Sequence, residues 1–194
     1  MATTDLSTPP SEFESNSVDV AVASFETLVR TRRTHKAFGA EPVGRETLLE
    51  LFELARWAPN HHLTNPWRFR VLGQKARDLL AREAELEKPG SAIKLQRAPT
   101  LIVVGVESRG DPSQQREDLL ATAIAAYIVV LAAHARGLAG YWRTLPLLEE
   151  PRVRKGLAIP VGEQPIGLLH LGHPVQAQRV PERAPVDEIA IFLD

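Results

Sequence analysis

The feature that most limits how this chain can fold is the apolar run LLATAIAAYIVVLAAHA, Leu119 to Ala135. Glu117 and Asp118 bound it on one side, and His134 and Arg136 mark its other end. The run falls short of the ~20 apolar residues that span a bilayer, and it is rich in Ala, a weak membrane former. It reads as a central helix buried on all sides. That helix starts near Ser113 and ends near Arg136, with Gly137 as its C-cap. The chain has 194 residues, which fits one domain around such a helix.

The flanking segments supply the rest of that domain. Ser24 to Arg33 reads as a helix capped by Ser24. Arg45 to Trp57 is a second helix with a broad apolar face, stopped by Pro59. Trp67 to Leu72 alternates apolar and basic residues, as a half-buried strand does. Gln74 to Glu87 is a charged helix, and TLIVVGV after Pro99 is a fully buried strand. Gly140 to Thr144 is a short strand, Pro151 to Gly156 a helical turn, and Pro165 to Leu171 another buried strand closed by Gly172 and Pro174. The apolar end, Ile189 to Leu193, follows a Pro-rich stretch and should dock on something, a partner subunit being one candidate. Residues 1–19 are polar, acidic and rich in Pro and Ser, so a flexible tail is expected there, with no secretory signal. Residues 20–194 then form a single mixed α+β domain with helices covering a sheet.

Charge and composition remove whole classes of function. With 23 basic and 24 acidic residues, the formal net charge is −1. Nothing in that balance draws the chain to nucleic acid or to an anionic membrane. There is no cysteine, which excludes disulfides, thiolate nucleophiles and Cys-ligated metals and fits a reducing, cytoplasmic setting. No Gly-x-Gly-x-x-Gly, P-loop or Gly-x-Ser-x-Gly pattern occurs. The six His residues show no metal-ligand spacing, so no metal is expected.

Four clusters remain that could carry chemistry. Arg30, Arg32, Arg33, Thr34, His35 and Lys36 put several cations and a hydroxyl at a helix end. Such a set suits a nucleotide phosphate, but basic residues also simply complement a helix C-terminus, and a nucleic-acid patch is a third reading. Trp57 to Trp67 is a polar loop bracketed by Pro59 and Pro66, with Asn60, His61 and His62 free to face a ligand. Gly140-Tyr141-Trp142-Arg143-Thr144 and the strand ending Gly172-His173-Pro174 complete the set; each alone is ordinary strand sequence.

Taken in order, these clusters resemble the nitroreductase family over roughly residues 22 to 176. The matching patterns are Arg32-Arg33-Thr34-His35-Lys36-Ala37-Phe38, then Ala58-Pro59 through Asn65-Pro66-Trp67-Arg68-Phe69, then Trp142-Arg143-Thr144 after the long helix, then Gly172-His173-Pro174. The chain is most similar to the small, minimal branch. The resemblance implies a three-layer α-β-α fold with a mainly antiparallel central sheet and an intertwined homodimer with FMN at the interface. It implies that Arg32, Arg33, Thr34 and Lys36 bind FMN from one subunit, that Trp57 and His61 approach the flavin of the other, and that Trp142, Arg143 and Thr144 line the first flavin again. Asn65 stands where the family has Gln, and Leu63 where many relatives have Asn. No Lys or Arg directly follows Pro174, so the phosphate would rest on Arg32 and Arg33 or recruit Arg179.

The implied activity is hydride transfer from NAD(P)H through flavin N5 to a nitroaromatic or quinone-type acceptor, in ping-pong order. The flavin does the chemistry, and no catalytic side chain is assigned. Arg33 or Arg143 would stabilise the anionic reduced flavin. Two alternatives are a non-catalytic FMN-binding or storage relative, and a nucleic-acid-binding module built on Arg30 to Lys36.

Overall fold

The computed structural model describes residues 12–108 and 110–193, with side chains from residue 19 onward. In chain order it has α1 (Glu12–Thr31), α2 (Arg45–Ala55), β1 (Trp67–Val71), α3 (Gln74–Glu87), α4 (Ala92–Gln96), β2 (Thr100–Glu107), α5 (Pro112–Ala135), β3 (Ala139–Arg143), α6 (Pro151–Gly156) and β4 (Glu163–Gly172). The strands form one antiparallel sheet in the order β1-β2-β4-β3. The expected α+β class and helix-covered sheet are therefore present.

Strand alternation builds a core on each face. Ile102 and Val104 of β2 and Leu169 and Leu171 of β4 face α2 and α5, where Leu48, Leu51, Ala125, Val129 and Ala133 close on them. Leu101, Val103 and Leu168 point the other way, into a second core with Leu80 of α3, Leu95 of α4 and Val153 of α6. The sheet is sandwiched, which gives the three layers. β2 is apolar along almost its whole length because both of its faces are covered.

α5 starts at Asp111, whose side chain accepts from the Gln114 N–H, with Pro112 in the first turn. It ends before Gly137, which takes φ 72°. By length and composition alone this helix could cross a membrane, yet half of that stretch is buried inside the fold. It is not buried on all sides, as its sequence suggested: Leu120, Ile124 and Tyr127 are exposed. α1 likewise begins at Glu12, inside the stretch read as a flexible tail; residues 1–11 lie outside the described residues. α1 shows Val20, Val22 and Phe25 to the outside. Beyond β4 the described residues run without strand or α-helix, and Ile189, Ile191, Phe192 and Leu193 are exposed.

An ion pair reaches across the inner strand β2. Arg70 of β1 reaches the buried Glu163 at the start of β4, although β2 lies between them. Gly105 of β2 makes the passage, at the point where the β2–β4 register shifts. A Cβ there would lie 1.9 Å from Glu163 Oε1. Arg154 of α6 then fixes the same corner by donating to the carbonyls of Pro160 and Glu163 at 2.5 and 2.7 Å. Gly105→Ala should therefore overpack the site and split a buried pair, costing at least ~2 kcal/mol in urea unfolding. Gly162→Ala, which meets nothing within 4 Å, should stay within ~0.5 kcal/mol of wild type.

Candidate functional site

Both faces of the sheet are sealed, so polar groups gather at its edges, β1 and β3. At the β3 edge, residues 34–39 run beside the sheet. Thr34 bridges Gly140 in parallel, the His35 N–H donates to Gly140 O at 3.1 Å, and the Gly39 N–H donates to His173 O at 2.9 Å. This fringe carries Lys36 and Phe38 into a cleft of about 670 Å³ whose lining also includes Lys94, Arg97, Tyr141, Trp142, Arg143, Thr144 and His170. Four cations line it, and no Asp or Glu does among the described residues. The volume lies in the usual range for small-molecule sites, ~300–1,000 Å³.

The short helix α4 is the contribution that sequence reading missed. Lys94 and Arg97 stand three residues apart, one helical turn, in a stretch to which sequence reading assigns no element. Their spacing just ahead of Pro99 and the buried strand was the available signal. Arg77 of α3 donates to Pro99 O at 2.7 Å and Ala98 O at 3.1 Å, tying the end of α4 to the sheet. Leu95 is buried in the second core and anchors the same turn.

His170 is the polar floor of this cleft. It sits on β4 opposite Tyr141, with ring centroids 5.2 Å apart, and is 1% exposed. Its Nε2 has no hydrogen-bond partner among the described residues. Burial, helped by the Arg143 charge, pushes its pKa down to about 3, so the ring is neutral. Trp142 packs against the α2–α5 core, and its buried Nε1 is also without a partner among the described residues.

The other predicted residues on the fringe lie outside the cleft lining. Arg33 turns back onto its own helix end, donating to Arg30 O at 2.6 Å and Arg32 O at 2.8 Å. Arg30 lies 3.8 Å from Glu26. Arg32 is half-buried, and its charge acts on His35 and His134. Burial is the first cause of the lowered pKa of both imidazoles, with those positive neighbours adding to it. Thr31 gives its proton to Thr27 O at 2.6 Å, so the 2.9 Å contact with His134 Nε2 places a proton on that nitrogen. A second hollow near this point is lined by His35, His134, Leu138, Pro174 and Gln176.

Trp57 and His61 lie at the far edge. Their loop leads into β1, three strand spacings or ~14 Å from β3 across the sheet. Trp57 is 75% exposed, and the His61 and His62 rings sit 3.8 Å apart. His62, Leu63 and Asn65 take left-handed φ of 59°, 51° and 49°. For residues other than Gly this costs roughly 1–2 kcal/mol each, least for Asn. Side chains offset it: Asn60 Oδ1 accepts from the Asn65 N–H at 2.7 Å, Asn60 Nδ2 donates to Thr64 Oγ1 at 3.0 Å, and Asn65 Nδ2 donates to Leu63 O at 2.7 Å. The structure thus collects Lys36, Trp142, Arg143 and Thr144 in one cleft and leaves Trp57 and His61 at the opposite edge of the same chain.

A pH effect follows from the buried imidazoles. A His whose folded pKa lies below 6.5 stabilises the fold above pH 6.5, and that stability is lost as pH falls towards the folded value. For His170 the window runs from about pH 6.5 to about 3. The unfolding free energy should fall with acidification across this range, by up to ~1.4 kcal/mol per pH unit for each proton taken up on unfolding, as read from urea denaturation at each pH. His170→Gln should flatten that slope; an unchanged slope would mean that the ring is not held neutral.

Comparison with known proteins bears on the fold and the family. The Nitroreductase family profile matches residues 29–173. "Putative NAD(P)H nitroreductase YfhC" of Bacillus subtilis is 26% identical over 172 residues, covering 82% of this chain and 89% of that protein. The crystal structure of a nitroreductase-like family protein from Bacillus cereus superposes with a TM-score of 0.79 at 23% identity, covering 98% of this chain and 100% of the other. The NADPH:FMN oxidoreductase from Vibrio harveyi, complexed with NAD+, superposes with a TM-score of 0.74 at 18% identity, covering 87% and 76% of the two chains. The profile spans most of the sequence and takes in both edge clusters, and the chain belongs to the nitroreductase family.

Proposed function

We propose that this protein is an FMN-dependent oxidoreductase that takes hydride from NAD(P)H and delivers it, in ping-pong order, to an electron-poor acceptor of nitroaromatic or quinone type. The observation that carries this reading is the β3-edge cleft, with four cations, three aromatic residues and no carboxylate among its described lining. FMN presents a flat ring and an anionic phosphate, which suit aromatic walls and fixed cations respectively. The unpartnered Nε2 of His170, at the floor of the cleft, adds a polar atom that a bound ring system could engage. Family membership and the names of the relatives support the same cofactor and co-substrate.

When bound, FMN would supply the hydride-accepting and hydride-donating chemistry. The chain's own groups do the rest. Lys36, Lys94, Arg97 and Arg143 provide a positive field that favours negative charge in the cleft. Arg143 is the better candidate than Arg33 for the reduced cofactor, because the Arg33 guanidinium is turned onto its own helix end. Arg32 and Thr34, at the start of the fringe and outside the cleft lining, are candidates for the phosphate beside the cleft cations. His170, neutral and buried, can offer a hydrogen bond without adding charge.

The reading includes a homodimer. Val20, Phe25, Leu49, Leu54, Trp57, Leu120, Ile124 and Tyr127 leave apolar surface exposed on α1, α2, α5 and the start of the β1-edge loop. The apolar end, Ile189 to Leu193, adds more. Exposed apolar surface on this scale marks an interface. A second copy would also bring its Trp57 and His61 to the cleft that a single chain cannot complete.

Titration of the apo protein with FMN, followed by anaerobic addition of NADH or NADPH, tests this. Saturable binding, a flavin spectrum and bleaching by a reduced nicotinamide are expected. Lys94→Ala/Arg97→Ala should weaken FMN binding at least tenfold, as loss of charge-assisted hydrogen bonds implies. Binding without bleaching would favour the storage reading, and no binding at excess FMN would overturn the proposal.

A further inference from the structure

Asp118 has no place in the cleft, yet it is 1% exposed, among the most deeply buried charged residues described. It projects from the second turn of α5 and collects donors from three parts of the chain. Ser108, just after β2, donates its hydroxyl to Oδ2 at 2.5 Å. Gln114, one turn earlier on α5, donates to Oδ1 at 2.9 Å. Thr64, from the β1-edge loop, donates its hydroxyl to Oδ1 at 2.5 Å. Burial alone would raise this carboxyl's pKa, but the Ser108, Thr64 and Gln114 bonds outweigh it and hold it below the ordinary value. The group is an ionised anchor.

What it anchors is informative. Thr64 is the residue with ordinary right-handed geometry amid left-handed neighbours, His62, Leu63 and Asn65. Its hydroxyl both donates to Asp118 and accepts from Asn60 Nδ2. Asn60 in turn takes the Asn65 N–H. One chain of bonds, Asp118 to Thr64 to Asn60 to Asn65, therefore clamps both ends of the turn that carries His61 and His62. His61, His62 and Leu63 themselves point outward and are exposed. Such a turn has no regular ladder to hold it, and without the clamp its unfavourable φ angles would relax.

We propose that Asp118 is a positioning residue: through Thr64 it holds the 60–65 turn in the conformation that presents His61 to the nicotinamide or acceptor stacked in a second copy's cleft. The inference rests on the homodimeric flavoenzyme reading above. It assigns Asp118 to substrate placement and not to FMN retention, because the cations that suit FMN sit at the other sheet edge, on α4, β3 and the 34–39 fringe.

The test is steady-state and binding measurement on full-length wild type, Thr64→Val and Thr64→Ser. Thr64→Val removes both bonds of the hydroxyl, to Asp118 and from Asn60, and leaves Ser108 and Gln114 on the buried carboxylate, so the core stays intact. It should leave the FMN dissociation constant within about threefold of wild type and raise KM for NAD(P)H on the order of tenfold, as a sub-ångström to ångström misplacement does. Thr64→Ser restores the hydroxyl and should restore KM. Weakened binding of NAD+ to the FMN-loaded variant, read from perturbation of the flavin spectrum, gives a readout independent of turnover. An unchanged KM in Thr64→Val, or a loss of FMN in step with KM, would overturn the positioning role while leaving the flavoenzyme reading in place. A wild type that binds no FMN would overturn that reading instead.

Discussion

The structure depends on a sheet covered on both faces. The β2–β4 pair is buried front and back, with Ile102, Val104, Leu169 and Leu171 on one side and Leu101, Val103 and Leu168 on the other. A sheet in that position has no solvent-facing surface on which to mount polar chemistry, because a buried polar group without a partner costs ~1–3 kcal/mol. Polar side chains must leave at an edge or at a strand end. The cleft at β3 and the strained loop before β1 are those two exits. Even the ion pair of Arg70 with Glu163, which reaches across β2, needs Gly105 to make room for it.

The two exits are built by different physics. At β3 the cations are placed by secondary structure: Lys36 by a bridge to the edge strand, Lys94 and Arg97 by a helical turn that Arg77 ties down, Arg143 by the strand itself. Their mutual repulsion is tolerated because the cleft is open to water and because His170, at its floor, stays neutral. At β1 the loop has neither helix nor strand to hold it. Its geometry comes from Asn60, Thr64 and a buried carboxylate, a local network that sets three left-handed residues against hydrogen bonds of ~1 kcal/mol each.

Much of this was legible in the sequence, for identifiable reasons. The strands TLIVVGV and PIGLLHL announce themselves because burial on both faces removes polar residues, and α3 and α6 match their predicted bounds because Gly73 and Pro151 mark their starts. The long helix was placed correctly but its burial was overstated: an all-apolar helix looks the same in sequence whether its outer face meets its own chain or another. α4 escaped because five residues are too few to show a period. Of the basic cluster, sequence could not tell which guanidinium turns inward to cap its helix, as Arg33 does, and which cation faces the cleft, as Lys36 does. Asp118 carried no motif at all; its meaning comes only from the three donors that the fold brings to it.

In the proposed homodimer each site is shared, with cations from one chain at β3 and the loop of a second chain from β1. Complementation between two damaged proteins tests it most directly. Lys36→Ala/Arg143→Ala removes cations from the cleft, and Trp57→Ala/His61→Ala empties the loop; each protein alone should be nearly inactive. After co-refolding, half the dimers would be mixed, and each mixed dimer would carry one site with all four changes and one with none. The account predicts recovery of about a quarter of wild-type NAD(P)H oxidation. No recovery, in a mixture shown to contain mixed dimers, would contradict it.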